Sequence, residues 1–461
     1  MVNMDTIAAI STAPGDGAIG IIRISGSEAF AIAEKIFAGK KKFNNIPSHT
    51  VNYGKIINPY NNGEIVDEVL LLKMEKPKSF TTEDVVEIHC HGGTVVLKKI
   101  LEIVLKAGAR IAEPGEFTKR AFLNGRIDLS QAEAIIDIIN AKTDRSSKAA
   151  VEQLEGKLSR IVKDIRKKLI ELIAHIEVNV DYPEYDVEQL TERIIYERAT
   201  EIKNDLVKLL SSYDKGRVIR EGANVVITGR PNAGKSSLFN ELSGKSRAIV
   251  TDIPGTTRDI IDDYINLNGI PVRLIDTAGI RETEDVIEKI GVQRAQDALE
   301  KADIIILMID ATAGITKDDL SLLEEISDKK LIIVINKIDL LDKQKPDDDL
   351  QKIISGRKSV EISVKKGIGI NELESEIEKM LLKDAAGNEN DIIITNVRHK
   401  NLVDKALDST NEALSAIENG IPLDCALIDI RNAAEYLGMI TGESISEDVA
   451  NEIFEKFCIG K

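Results

Sequence analysis

The string Gly229-Arg230-Pro231-Asn232-Ala233-Gly234-Lys235-Ser236-Ser237 carries the spacing G-x-x-x-x-G-K-[ST] of a phosphate-binding loop. It follows the apolar run Val225–Thr228 and precedes the helical stretch Leu238–Leu242. Glycines at these positions let backbone N–H groups wrap a phosphate. Lys235 then reaches the β and γ oxygens, and the Ser236 hydroxyl is a magnesium ligand. A second string, Asp276-Thr277-Ala278-Gly279, follows the apolar run Val272–Ile275. Asp276 is expected behind the magnesium's own ligands, and the Gly279 amide against the γ-phosphate. In the third, Asn336-Lys337-Ile338-Asp339, a carboxylate accepts from the N1–H and N2–H₂ of guanine, donors that adenine lacks. The fourth, Ser363-Val364-Lys365, offers a backbone amide to guanine O6. In this order, each after an apolar run, the four read as a guanine-nucleotide hydrolase domain.

One position departs from the small signalling GTPases. Where they carry a water-orienting glutamine, this chain has Ile280, which cannot polarise water. Another residue or an ion must act there. The segment Val250–Asp259 contains Thr251, Asp252, Ile253, Pro254, Gly255, Thr256, Thr257 and Arg258. It offers Thr257 as a second magnesium hydroxyl, together with further hydroxyls and carbonyls. An ordinary switch loop with polar residues is the alternative reading.

The elements that must position these groups set the architecture. A length of 461 residues suggests about three domains. Hydrophobic residues at 43% supply several cores. A net charge of −16 argues against a protein that coats nucleic acid through its own basic surface. Three scattered cysteines, Cys90, Cys425 and Cys458, form no disulfide framework. With no signal-peptide pattern and no membrane-length apolar run, the expected location is cytoplasmic.

Residues 1–120 mix short strands, at Ile21–Ile24, Val69–Lys73 and Val85–His89, with a helix over Val95–Ala107, as in a small α/β or α+β domain. Residues 121–218 are helical. An apolar stripe from Val151 through Ile176 predicts one long helix stopped near Pro183, and a second stripe spans Leu190–Leu210. Residues 219–382 show the strand–helix alternation of a doubly wound P-loop sheet. Residues 383–461 return to helix, with Ser444 and Glu447 spaced as a capping box for the last one and Cys425 in an apolar helical stretch, where a core position is expected. The expected fold is therefore multidomain: an N-terminal α/β (α+β) domain, a discontinuous helical domain, and an inserted doubly wound P-loop GTPase domain.

With the opening DTIAAISTAPGDGAIGIIRISG, the string Pro114-Gly-Glu-Phe117, Arg120–Gly125 with LSQAEAI, the core GRPNAGKSS with TDIPGTTRD, and the terminal FCIGK, the whole chain resembles the MnmE (TrmE) family of tRNA modification GTPases. The resemblance implies an N-terminal domain, residues 1–120, that binds 5-formyltetrahydrofolate or a related tetrahydrofolate and forms the homodimer. It also implies a flavin-dependent partner, MnmG (GidA). Together the two would install an aminomethyl or carboxymethylaminomethyl group at C5 of the wobble uridine of certain tRNAs, with GTP hydrolysis driving a conformational cycle.

Residue by residue, Asn232, Thr251, Ile253 and Thr256 match the family's potassium ligands, and Ser236 and Thr257 its magnesium ligands. Glu288 matches the glutamate that orients the attacking water through an intervening water. Arg23, Glu87 and Lys461 match folate ligands, and Arg126 stands where some members carry lysine. Cys458 is open to a chemical role because a nearby ammonium favours its thiolate; a small buried residue in a docked tail is the alternative. His89-Cys90-His91 alternates faces on a strand and reads as packing rather than a zinc site. The competing class is a ribosome-assembly or translational GTPase switch without modification activity. Such switches usually carry a basic RNA-binding module, against which the acidic balance and FCIGK argue.

Overall fold

The computed structural model describes residues 5–13, 15–181, 192–245, 264–276, 296–326, 328–341, 353–382, 394–457 and 460. They form two compact units. One runs from the N-terminus to Ile136 and takes in the chain from Gly438 onward; the other lies between Asp137 and Leu437.

The first unit is built on a seven-stranded sheet of β1 (Ile7–Ile10), β2 (Gly17–Ser25), β3 (Phe37–Gly39), β4 (Thr50–Asn58), β5 (Glu64–Met74), β6 (Val85–Gly92) and β7 (Arg110–Ile111). The order is β3-β4-β5-β6-β2-β1-β7, antiparallel throughout except for the parallel β1–β7 pair. Period-two alternation sorts the side chains. Ile22, Ile24, Leu71 and Ile88 are buried in one core with Ile32 and Ile36 of helix Ala29–Ile36 and Ile100 and Val104 of helix Thr94–Lys106. On the opposite face Val51, Tyr53 and Leu70 stand 60%, 57% and 43% exposed. Register places Arg23 opposite Glu87, Glu87 opposite Leu72, and Leu72 opposite Val51, so a charged pair and apolar residues share that open face.

Helix Glu447–Glu455 closes a small core of Leu129, Ala132, Ala450, Phe454 and Phe457. Its N-cap is Ser446, whose side chain makes no capping bond, so the helix starts two residues later than the Ser444–Glu447 spacing predicts.

The second unit carries a six-stranded sheet of β8 (Ala223–Gly229), β9 (Tyr264–Leu267), β10 (Ile270–Asp276), β11 (Ile304–Asp310), β12 (Leu331–Asn336) and β13 (Ser359–Glu361). The order β13-β12-β11-β8-β10-β9 is parallel except for the edge strand β9. Near-continuous apolar runs suit strands covered on both faces, and Ile304 through Ile309 are all fully buried. Strand β9 escapes the apolar-run reading because only Ile265 and Leu267 face inward; the Asn268-Gly269 turn, with φ of 52° and 87°, is its sequence signal.

The stripe from Val151 to Ile176 is not one helix. The chain forms Asp144–Leu154 and then Lys157–Asp181, broken at Glu155-Gly156 with Gly156 at φ 81°. Leu154 and Leu158 are four residues apart, so the helical period runs on across the break and conceals it. Helix Glu192–Leu210 packs beside Val397–Glu418, where Tyr196 Oη donates to Glu418 at 2.6 Å. Cys425, expected in a core, is exposed: it lies in the first turn of helix Leu423–Thr441, whose buried stripe is Ala426, Ile430, Ala433 and Leu437.

Candidate functional site

The phosphate-binding loop leaves the C-terminal end of β8, a central strand of the parallel sheet, and enters helix Lys235–Lys245. That is the edge where open α/β sheets bind ligands. Gly229, Asn232 and Gly234 all take positive φ, at 138°, 65° and 103°. A Cβ on Gly234 would lie 2.3 Å from Asn336 Nδ2, so the first and third strings touch directly through this glycine. The Lys235 ammonium donates to the carbonyls of Gly229 and Arg230 at 2.8 and 2.7 Å, which sets it across the mouth of the loop. Ser236 Oγ donates to Asp276 Oδ2 at 3.0 Å, pairing a hydroxyl and a carboxylate oxygen, the hard donors magnesium takes.

The base-recognition strings assemble on the neighbouring strand ends. The buried Asn336 side chain donates to the Ala233 carbonyl at 2.9 Å and accepts from the Val364 amide at 3.2 Å, joining three strings through one side chain. Ser363 Oγ donates to Asp339 Oδ1 at 2.6 Å and fixes the position of that carboxylate. Lys337 is left-handed at φ 68°, and its ammonium pairs with Asp310. Burial pushes the Asp310 carboxyl upward, but the Lys337 bond and two bonds from Thr312 outweigh it and hold the group below its ordinary range. The walls enclose a cleft of about 1210 Å³ that includes Asn232, Lys235, Ser236, Asn336, Asp339 and Lys365.

Two groups at this site have no role in the sequence reading. Asp319 is fully buried, accepts from Thr316 Oγ1 at 2.9 Å, and receives Arg230 Nε at 3.0 Å. Arg230 also donates to the Gly314 carbonyl at 3.1 Å. The second residue of the phosphate loop is thereby tied to the N-terminus of helix Lys317–Glu325. The spacing Thr316-x-x-Asp319 is a capping-box signature that marks the helix start, but nothing in it points to Arg230.

In the first unit, Arg23 Nε donates to Glu87 Oε1 at 2.8 Å, and Nη2 forms an ion pair with the same oxygen at 2.8 Å. The Arg23 guanidinium lies 5.6 Å from the ring centres of both Phe80 and Phe117, and Arg126 covers Phe80 at 4.9 Å. Phe80 thus joins Arg23 and Arg126, which lie far apart in sequence. The chain's end comes here too. Ser11 Oγ donates to the Gly460 carbonyl at 3.1 Å, and a Cβ on Gly460 would meet Ile10 O at 2.3 Å. Only glycine fits that approach, just beyond Ala9, which pairs with Arg23 across β1 and β2.

Two family models match. The model of the MnmE helical domain covers residues 129–458, and that of the GTP-binding protein TrmE N-terminus covers residues 6–126. A protein from Acetivibrio thermocellus named tRNA modification GTPase MnmE is 62% identical over all of both chains. The chain belongs to the MnmE family of tRNA modification GTPases. MnmE relatives from Alkaliphilus oremlandii and Clostridioides difficile are 50% and 47% identical over 99% of both chains. Among solved structures, a point variant of Era from Aquifex aeolicus bound to GDP and AlF4− aligns with 41% of this chain and 66% of its own, at 32% identity. Its TM-score of 0.29 is too low to add to the assignment.

As an MnmE family member the chain is a GTP hydrolase, and the P-loop cleft is where the described residues of the four strings converge. Thr251–Thr257, Thr277, Ala278, Gly279, Ile280, Glu288, Cys458 and Lys461 lie outside the described residues. Cys90 faces the core, where burial first and Asp67 second push its thiol up to about 11, far from a reactive thiolate. His89 and His91 turn the other way, to Glu87 at 3.3 Å and Asp67 at 2.7 Å. Among the described residues, no helix is long and apolar enough to cross a membrane.

Proposed function

We infer that this MnmE-family GTPase is potassium-stimulated and acts as a homodimer with a flavin-dependent partner of the MnmG (GidA) type. Together they install an aminomethyl or carboxymethylaminomethyl group at C5 of the wobble uridine, using a tetrahydrofolate one-carbon unit. The observation that carries the reading is the Arg23–Glu87 pair set against Phe80 and Phe117, with Arg126 on the far side of Phe80. This donor set suits a folate. Glu87 supplies a carboxylate that accepts from ring N–H groups, the aromatic rings supply flat surface, and Arg126 supplies a cation for an acidic appendage. The docking of Gly460 beside Ser11 supports a role for Lys461 there. The folate, once bound, supplies the one-carbon unit; the chain's residues hold and orient it.

At the nucleotide cleft, Asn232 is the one member of the inferred potassium set within the described residues. It lies on the loop beside Lys235 with a side-chain oxygen available as a hard donor. Positive charge beside the phosphates lowers the barrier to bond breaking, as an arginine finger does. Ser236 and Asp276 fit the magnesium side. The exposed Val51, Tyr53 and Leu70 support self-association through the open sheet face.

Nucleoside analysis of bulk tRNA from cells lacking the protein tests the reaction. Loss of C5-modified wobble uridines is expected, and an unchanged profile would refute it. Hydrolysis several-fold faster in K⁺ than in Na⁺ at equal ionic strength tests the cation; equal rates would remove it.

A further inference from the structure

A second cleft adjoins the Arg23–Phe80–Arg126 cluster. It has a volume of about 580 Å³, and its walls include His49, Met74, Lys78, Phe80, Asn124 and Arg126. Its lining contains two permanent cations and no carboxylate, although the chain has 77 acidic against 61 basic residues. Lys78 and Arg126 enter no ion pair among the described residues, and both are exposed. Arg126 is held in place by one donor, Nη1 to the Phe80 carbonyl at 2.8 Å, so its other N–H groups remain to face the cleft. Asn124 is fixed from the same side by its bond to the Thr81 carbonyl at 2.7 Å. The residue opposite, His49, sits at a left-handed φ of 61° with Nδ1 on Ser48 Oγ at 2.8 Å. Phe80 and Arg126 belong both to this cleft and to the aromatic cluster, so the cleft adjoins the cluster at these two side chains.

We propose that this cleft is a subsite for a chain of carboxylates, the γ-linked glutamates of a polyglutamylated folate, lying over Arg126 and Lys78. The inference rests on the folate reading above. A monoglutamate carries its charges within reach of Arg126; further glutamates reach Lys78. Exposed charge pairs are individually weak and are screened by salt, so the effect is a graded preference for longer tails.

The test measures binding of mono- and triglutamyl 5-formyltetrahydrofolate to the full-length protein by calorimetry at low and high salt. The triglutamate is expected to bind roughly five- to tenfold tighter at low salt, with the ratio falling toward one at high salt. The ratio should likewise fall toward one in Lys78→Glu, and partly in Lys78→Gln. The salt comparison needs no variant, so a misfolded mutant does not cloud the result. Equal affinity of the two ligands would overturn the subsite while leaving the folate site intact. Binding of neither would overturn the folate reading and the subsite with it. A ratio that survives in both variants and at high salt would also remove Lys78 and the cleft as its source.

Discussion

Asp339 is the carboxylate proposed to read the guanine base. Ser363 donates to one of its oxygens at 2.6 Å, which fixes the rotamer, and the strand-end position sets it on the wall of the nucleotide cleft. Asp339→Asn replaces an acceptor with an amide that can donate. GTP binding is expected to weaken by at least about tenfold while xanthine nucleotides gain, because the amide meets the carbonyl that xanthine carries in place of the guanine amine. Fluorescent-nucleotide titrations check this, and unchanged GTP affinity would remove Asp339 from base recognition. At this scale the sequence was highly legible. The four strings have fixed spacings whose chemistry is local, and Asn336 bonds to residues of two of the others. Phe80 and Phe117 were not legible as neighbours of Arg23, because neither Phe80 in its loop nor Phe117 in helix Glu116–Leu123 carries a local pattern that tells which distant cation it will meet.

At the scale of elements, the tie between the phosphate loop and helix Lys317–Glu325 rests on a carboxylate with no solvent exposure facing a partly exposed arginine. Asp319→Ala removes one half of the capping box of that helix and leaves Arg230 without its carboxylate partner. Stability is expected to fall by about 2–3 kcal/mol, since breaking one side of a buried pair costs more than the pair is worth. The double variant Arg230→Met/Asp319→Leu should recover part of it, and denaturant unfolding of the wild type, Arg230→Met, Asp319→Leu and the double variant gives the coupling. Additive losses would mean that the two residues act independently.

Helix Glu116–Leu123 rests on another such network. Burial raises the Glu116 carboxyl, but bonds from Arg110, the Glu113 amide and Arg120 outweigh it and hold it below the usual glutamate range. A depressed carboxyl adds stability at neutral pH that is lost as pH falls through its folded value. Arg110→Gln should therefore lower stability at pH 7 and narrow the difference from wild type toward pH 3, followed by circular dichroism. Elements were readable where period and punctuation agreed, as in helix Thr94–Lys106 before Gly108. They were misread where the apolar period crossed a break, as at Gly156.

On the scale of the whole molecule, a net charge of −16 keeps copies of the chain apart unless a specific contact outweighs the repulsion. The proposed contact lies on the first unit. Helices Ala29–Ile36 and Thr94–Lys106 cover one face of the seven-stranded sheet, and on the other face Tyr53 and Leu70 pair across β4 and β5 beside Val51. Leu70 also lies opposite His89, one register step from the Arg23–Glu87 pair. A partner seated on the apolar rows would also approach the Arg23–Glu87 pair, so the self-association and the folate site proposed above would meet on one sheet. Leu70→Glu puts a charge in the middle of the patch without altering the buried face. Sedimentation is expected to show a dimer weaker by at least about tenfold, in line with the cost of burying an unpaired charge at an interface. Nucleotide affinity, set by residues of the second unit, should change less than about twofold. An unaltered dimer would place the contact on another surface, and a loss of nucleotide binding in parallel would mean that the substitution had damaged the fold.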